Sequence, residues 1–344
     1  MCGAGHLSAG PKAGRSPFQP WQGRFKAQWI TEDLVFLRAD SAGWPSPGNV
    51  LVVLDTEGAA LIDCGFGTDT SLAALDEALQ EIGRNLGSIH TVVCTHPHTD
   101  HAGALSLLAD GRRLLVPAGS RPALDDPTVV ADSILPSAVR ELVPTLRHFD
   151  ADAHFRMDCG ASALPPGSAV EEIPPGEVFT LGQYSWHAVP TPGHDAHLMC
   201  YLEPRSGMLV YSDLLVTKGT AIPWYAPGGG GTAAYHASLD RVAGLSPRLG
   251  VSGHGGLLDG PVEVAAAIEA TTDRIQQREH RIEAALANGP VSFEDLERLV
   301  YPPVVHSVIP WASGVAATHL LEALESGRAR AVDGTFVAAQ GHST

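Results

Sequence analysis

The chain has 344 residues, 44% of them apolar, and carries 22 Lys and Arg against 38 Asp and Glu, for a formal net charge of −16. That length exceeds one small core, and the negative charge argues against a nucleic-acid groove, which needs clustered cations. No run of about 18 apolar residues is present, so no membrane span is expected. The five cysteines are widely spaced and odd in number, which argues against a disulfide framework and favours a reducing, cytoplasmic setting.

Residues 1–28 are rich in Gly, Ser and Pro and read as a flexible lead without a secretory apolar region. "DLVFLRA" and "GNVLVVLDTEGAALIDCG" read as strands, the second a hairpin turning at Thr56-Glu57-Gly58. "TDTSLAALDEALQEIG" places Leu72, Leu75, Leu79 and Ile82 at helical spacing, with Gly83 as its stop. A strand "SIHTVVCTH", a helix "GALSLLADG" and a strand "RRLLVPA" follow, an alternation that implies an α/β layered fold. Residues 120–176 show no clean repeat and carry eight prolines with short helical pieces such as "SAVRELVPTLRHF"; they read as an insert acting as lid and specificity element.

Order returns with "EVFTLGQYSWHAVPTPGH", "HLMCYLEPRSGMLVYSD" and "RLGVSGHGG", each read as an apolar strand that ends at a His or Asp. A polyglycine stretch at 227–231 and a helix "TAAYHASLDRVAGL" lie between the last two. From about Gly260 three helical segments precede a hairpin around Asp333-Gly334, a winged-helix-like pattern over 263–344. Ser292 stands three positions before Asp295 and reads as a helix N-cap.

The stretch "CTHPHTDHAG" gathers His96, His98, Asp100 and His101, although the whole chain has only 16 histidines. Residues two apart in an extended segment project the same way, so His96 and His98 face one direction. Asp100 and His101 then follow where the chain turns. Such a loop can serve two adjacent cations, and imidazole with carboxylate suits ions such as zinc. More ligands are offered by His194, Asp213 and His254, each just past an apolar strand. A lone histidine after a strand is most often structural, but this cluster with three strand-end partners is not explained by chance.

These motifs resemble the metallo-β-lactamase superfamily over about residues 29–262, with Asp63, His96, His98, Asp100, His101, His194, Asp213 and His254 in the family's order. The resemblance implies a four-layer αββα sandwich carrying two divalent ions at one edge. Zinc is favoured, with manganese or iron as alternatives. His96, His98 and His194 would hold one ion and Asp100, His101 and His254 the other. Asp213 would bridge them and Asp63 would orient ligands. "THPHTDHAG" and "TPGHDAH" look closer to glyoxalase II-like and β-lactamase-like hydrolases than to true lactamases. The C-terminal region resembles a branch containing an endoribonuclease and fungal polyketide-releasing thioesterases.

The implied chemistry is hydrolysis by a hydroxide bridging two cations, with Asp100 and Asp213 as the catalytic carboxylates. An acyl thioester or ester is the favoured substrate, either CoA- or carrier-linked. A lactone, a phosphodiester, and oxygenation by iron on the same fold are the alternatives. From Ala270 onward six Arg and no Lys stand against nine Asp and Glu, so the C-terminal region is expected to pack on the catalytic part or form a homodimer contact rather than read nucleic acid. His197, Lys218, Trp224 and Tyr225 are further candidates for contact with substrate, while His306 and His319 are read as structural.

Overall fold

The computed structural model describes residues 21–40, 46–143, 150, 159–215, 222–225, 231–301 and 312–339. Lys218, His306 and the lead-in through residue 20 lie outside the described residues.

Two sheets account for most strands. The first runs β1 (Phe25–Trp29), β2 (Leu34–Ala39), β3 (Val50–Leu54), β4 (Ala59–Ile62), β5 (Ile89–Val93), β6 (Arg113–Pro117) and β7 (Val170–Ile173), in that spatial order. Its first four strands pair antiparallel, and β4 to β7 pair parallel. The second holds β8 (Val178–Leu181), β9 (Tyr184–Pro190), β10 (Met199–Glu203), β11 (Met208–Ser212), β12 (Leu249–Ser252) and β13 (Leu258–Asp259). A separate hairpin pairs β14 (Ala329–Val332) with β15 (Thr335–Ala338).

The apolar runs make sense once both faces of each sheet are seen to be covered. Leu34, Phe36, Leu51 and Val53 point between the sheets, where they meet Trp186, Tyr201 and Val210. Their neighbours Val35, Leu37, Val50 and Val52 point outward onto Leu75 and Leu79 of helix Asp69–Glu81. On the second sheet Leu209 and Tyr211 pack outward against Tyr235 and Leu239 of helix Thr232–Leu245 and Ile275 of helix Pro261–Ala287. The order helix, sheet, sheet, helix is the αββα sandwich.

Helix Pro261–Ala287 serves two cores. Val264 and Ile275 belong to the second-sheet core, whereas Ile282 and Leu286 pack with Leu296, Val300, Val315 and Leu320. The latter residues come from helices Phe293–Val300 and Ala312–Glu325. Ser292 caps the first of these by accepting from the Asp295 N–H at 3.1 Å.

Four expectations differ from the structure. Pairing begins at Phe25, so most of β1 falls inside the stretch expected to be a flexible lead. Gly103–Gly111 forms turns rather than a helix, with the Ala104 N–H on the Gly65 carbonyl at 3.1 Å. The 120–176 insert holds the expected short helices, Arg121–Asp125, Pro127–Ile134 and Ser137–Leu142, but its end also supplies strand β7 of the first sheet, which was not foreseen. "EVFTLGQYSWHAVP" and "HLMCYLEPRSGMLVYSD", each read as one strand, are each two antiparallel strands, turning at Gly182-Gln183 and at residues 204–207.

Candidate metal centre

Strand direction explains where the ligands meet. β4 and β5 run parallel, so Asp63 and the "CTHPH" stretch leave the first sheet at one edge. β9 and β11 both pair antiparallel with β10, and β12 runs parallel to β11, so the ends of β9, β11 and β12 share an edge of the second sheet. His194, Asp213 and His254 follow those ends. Bonds between the sheets hold the two edges in register: Met199 N–H donates to Thr95 O at 2.9 Å, and Asn49 N–H donates to Gly253 O at 2.7 Å.

The result is two groups. One potential ligand atom from each of His96, His98 and His194 lies within 4.8 Å of the others, and the same holds for Asp100, His101, Asp213 and His254. Asp213 faces both, with Oδ2 at 3.5 Å from His194 Nε2 and also at 3.5 Å from His254 Nε2. Its Oδ1 lies 3.3 Å from His101 Nε2. All seven sequence-derived ligands therefore converge. Gly253 lets them do so: a Cβ there would sit 2.2 Å from Asp213 Oδ1.

Hydrogen-bond accounting fixes the ring tautomers. Thr95 donates its hydroxyl proton to Asp63 Oδ2 at 2.9 Å, so at 3.0 Å it must accept from His96 Nδ1–H. His101 Nδ1–H donates to Asp63 Oδ2 at 2.8 Å, and His194 Nδ1–H donates to Ile222 O at 3.0 Å. Each pattern leaves Nε2 facing the centre. His98 presents Nδ1, 3.0 Å from His194 Nε2, with its Nε2 lying 3.7 Å from Asp195 Oδ2. His96 Nε2, His101 Nε2 and Asp213 Oδ1 are buried and have no hydrogen-bond partner. Orphaned buried acceptors are costly, and divalent cations at these points would satisfy them. The donor set fits such ions.

The two groups differ in charge. Burial, with His101 and His98 close by, holds His96 far below its ordinary value, and burial with His194 brings His98 down to about 4. Burial opposes ionisation of the carboxylates, yet His101 and His254 pull Asp100 down to about 2, and His254 and His101 hold Asp213 well below its usual range. Against the pull of burial, Asp213 foremost holds both His101 and His254 above their ordinary values.

Asp63 holds this arrangement at a backbone φ of 62°, in the left-handed region that costs a non-glycine residue about 1–2 kcal/mol. Its carboxylate offsets that strain with bonds to Thr95 N–H at 2.8 Å, the Thr95 hydroxyl and His101. Sequence reasoning missed Thr95 and Asp195. Their position beside His96 and His194 was the available signal.

A cleft of about 190 Å³ opens beside His98 and His194. Pro122, Val129 and Ser133 of the 120–176 segment form one wall and Trp224 another. His197 also lines it, half-buried against Gly119, with its N–H donating to Asp195 Oδ1 at 2.7 Å. Tyr225 turns away from the cleft: its N–H donates to Thr318 Oγ1 at 3.0 Å and its hydroxyl to Glu325.

Residues 43–254 match the model of the metallo-beta-lactamase superfamily, so the chain belongs to that superfamily. It is a metal-dependent hydrolase by membership, with His and Asp clusters suited to two ions. Among its relatives, the Bacillus subtilis protein named "Probable metallo-hydrolase YqjP" is 28% identical over 310 residues, which span 86% of this chain and 94% of that one. An atrochrysone carboxyl ACP thioesterase of Aspergillus fumigatus is 29% identical over 132 residues, 38% of this chain and 39% of that one. A beta-lactamase domain protein of Burkholderia ambifaria shares the fold with a TM-score of 0.73 at 19% identity, over 94% of this chain and 96% of that one. A metallo-beta-lactamase family protein of Thermus thermophilus does so with a TM-score of 0.69 at 20% identity, over 85% of this chain and 93% of that one.

Proposed function

We propose that the protein hydrolyses acyl thioesters, CoA- or carrier-linked, with two divalent ions, zinc foremost, held by His96, His98, Asp100, His101, His194, Asp213 and His254. Such a pair supplies an ionised water at neutral pH and polarises the scissile carbonyl. The chain's own residues do the rest. Asp213, whose oxygens lie 3.3–3.5 Å from His101, His194 and His254, faces both groups and is placed to receive the proton released when water adds. Asp63 and Thr95 keep His96 and His101 in the tautomers that offer Nε2.

The observation that carries the substrate class is the cleft. Proline, alanine, valine and tryptophan side chains line much of it beside the histidines, with Ser133, Asp195 and His197 as polar points. That suits an acyl chain with its carbonyl at the ligand end. The partial likeness to the fungal thioesterase supports the same class. The formal charge of −16 favours neither RNA nor a phosphodiester backbone. We place the protein in the cytoplasm, in keeping with free thiols at Cys64, Cys94, Cys159 and Cys200.

The test is a hydrolysis panel of acyl-CoAs, acyl-carrier protein, lactones and single-stranded RNA with the zinc-loaded protein. Thioester turnover exceeding the others is expected. Cleavage of RNA alone would overturn the substrate class, and lactone turnover alone would move it to oxygen esters.

A further inference from the structure

The carbonyl that orients His194 belongs to no strand or helix. Ile222–Tyr225 has no regular secondary structure, so its position is set by what it touches. We infer that helix Ala312–Glu325 of the C-terminal region sets the direction of the His194 imidazole, with Thr318 and Gly314 as positioning residues for one of the two cations; this rests on the binuclear reading above.

The chain of contacts is short. His194 Nδ1–H donates to Ile222 O at 3.0 Å, and Trp224 N–H donates back to Gly193 O at 3.1 Å. These two bonds zip the segment to the His194 loop. On the segment's far side, Tyr225 N–H donates to Thr318 Oγ1 at 3.0 Å, and the Thr318 hydroxyl donates to Gly314 O at 2.9 Å. Thr318 is wholly buried. The Trp224 indole lies directly on the helix, because a Cβ on Gly314 would stand 2.9 Å from the ring. Glu325 takes the Tyr225 hydroxyl, and Glu322 accepts from the Thr232 N–H at 2.7 Å, which ties the same helix to the catalytic layers.

Each link acts on the next. Without the Thr318 hydroxyl, the Tyr225 N–H is left buried and unpaired, a state the segment relieves by moving. Movement of Ile222 O turns the His194 ring and takes Nε2 off the point it shares with His98. A side chain at 314 pushes the Trp224 ring and does the same from the other side. His101 and His254 have no bond to this segment among the described residues. The effect is therefore confined to the group containing His194.

The test uses the 344-residue chain freed of metal and titrated with Co²⁺ against a competing chelator, following the visible spectrum. Thr318→Val is expected to weaken one ion roughly tenfold, the scale seen when a partner behind a ligand is lost, and to leave the other unchanged. Thr318→Ser restores the wild-type affinity. In a His194→Ala background Thr318→Val has no further effect. Gly314→Ala repeats the selective loss and serves if Thr318→Val does not fold. Unchanged affinities in both variants, or equal weakening of both ions, would overturn the inference. Wild-type protein that takes up fewer than two ions would instead remove the binuclear reading on which it stands.

Discussion

His96 and His319 are buried alike, at 0% and 4% exposure, and each has ring nitrogen without a hydrogen-bond partner. They nevertheless differ in kind. His96 Nδ1 is committed to Thr95, and its free Nε2 shares a small volume with atoms of His98 and His194. Both nitrogens of His319 are unpartnered, and no ligand group among the described residues includes it. Burial of an imidazole is therefore no sign of a metal site. Convergence of lone pairs whose tautomers are fixed from behind is the sign, and the consequence is that changes at the two places should be felt in different measurements.

The largest effect is expected at Asp213, the carboxylate facing both groups. Asp213→Ala should lower turnover on the order of a thousandfold, as when a group that stabilises developing charge is removed. It should also release at least one ion while circular dichroism stays native; full turnover would break the assignment. Asp63→Asn comes next. Asn tolerates the left-handed backbone at 63, so the change isolates the charge from the strain. Metal affinity should fall about 10–100-fold, read by chelator competition, and an unchanged affinity would show that His101 does not depend on Asp63.

Asp195→Asn should act more weakly, by no more than about tenfold in affinity, because its oxygen stands 3.7 Å from His98 Nε2. A larger loss there than at Asp63 would make Asp195 the stronger support and reverse the ranking of the two carboxylates.

His319 sharpens the contrast through stability. Burial brings its pKa down to about 4 from an ordinary value near 6.5. The unfolded chain thus takes up a proton that the folded chain refuses, so stability is intact above about 6.5 and declines as pH falls towards 4. The full loss is about 3 kcal/mol. Urea unfolding of His319→Leu should lack this part of the decline, with metal content unchanged. Loss of an ion in that variant would erase the distinction between the two histidines.

Much of the candidate site was legible because its histidines and aspartates stand just past the ends of apolar strands. His96, His98, Asp100 and His101 fall in one loop, and His194, Asp213 and His254 follow β9, β11 and β12. What orients them was harder to see. The Ile222 carbonyl has no residue signature, and Thr95 looks like any β-branched residue after a strand. Strand β7 was hidden for a physical reason: it is an edge strand reading Val-Glu-Glu-Ile, whose two glutamates are exposed and one of which pairs with Arg113 at 2.7 Å. Gly103–Gly111 read as a helix, but the stretch closes as successive turns, with the Leu107 and Leu108 N–H groups both on the Ala104 carbonyl at 3.0 Å. Trp224 and Tyr225 were read alike from sequence, yet neighbouring side chains face apart, one to the cleft and the other to Glu325.

The most direct measurement is elemental analysis of the purified wild-type protein beside Asp213→Ala and His254→Ala. Two equivalents of divalent metal in the wild type, with fewer in each variant, is the expected result. A wild-type protein that holds no metal tightly, or variants that retain both equivalents, would contradict the convergence of these seven side chains on a pair of cations.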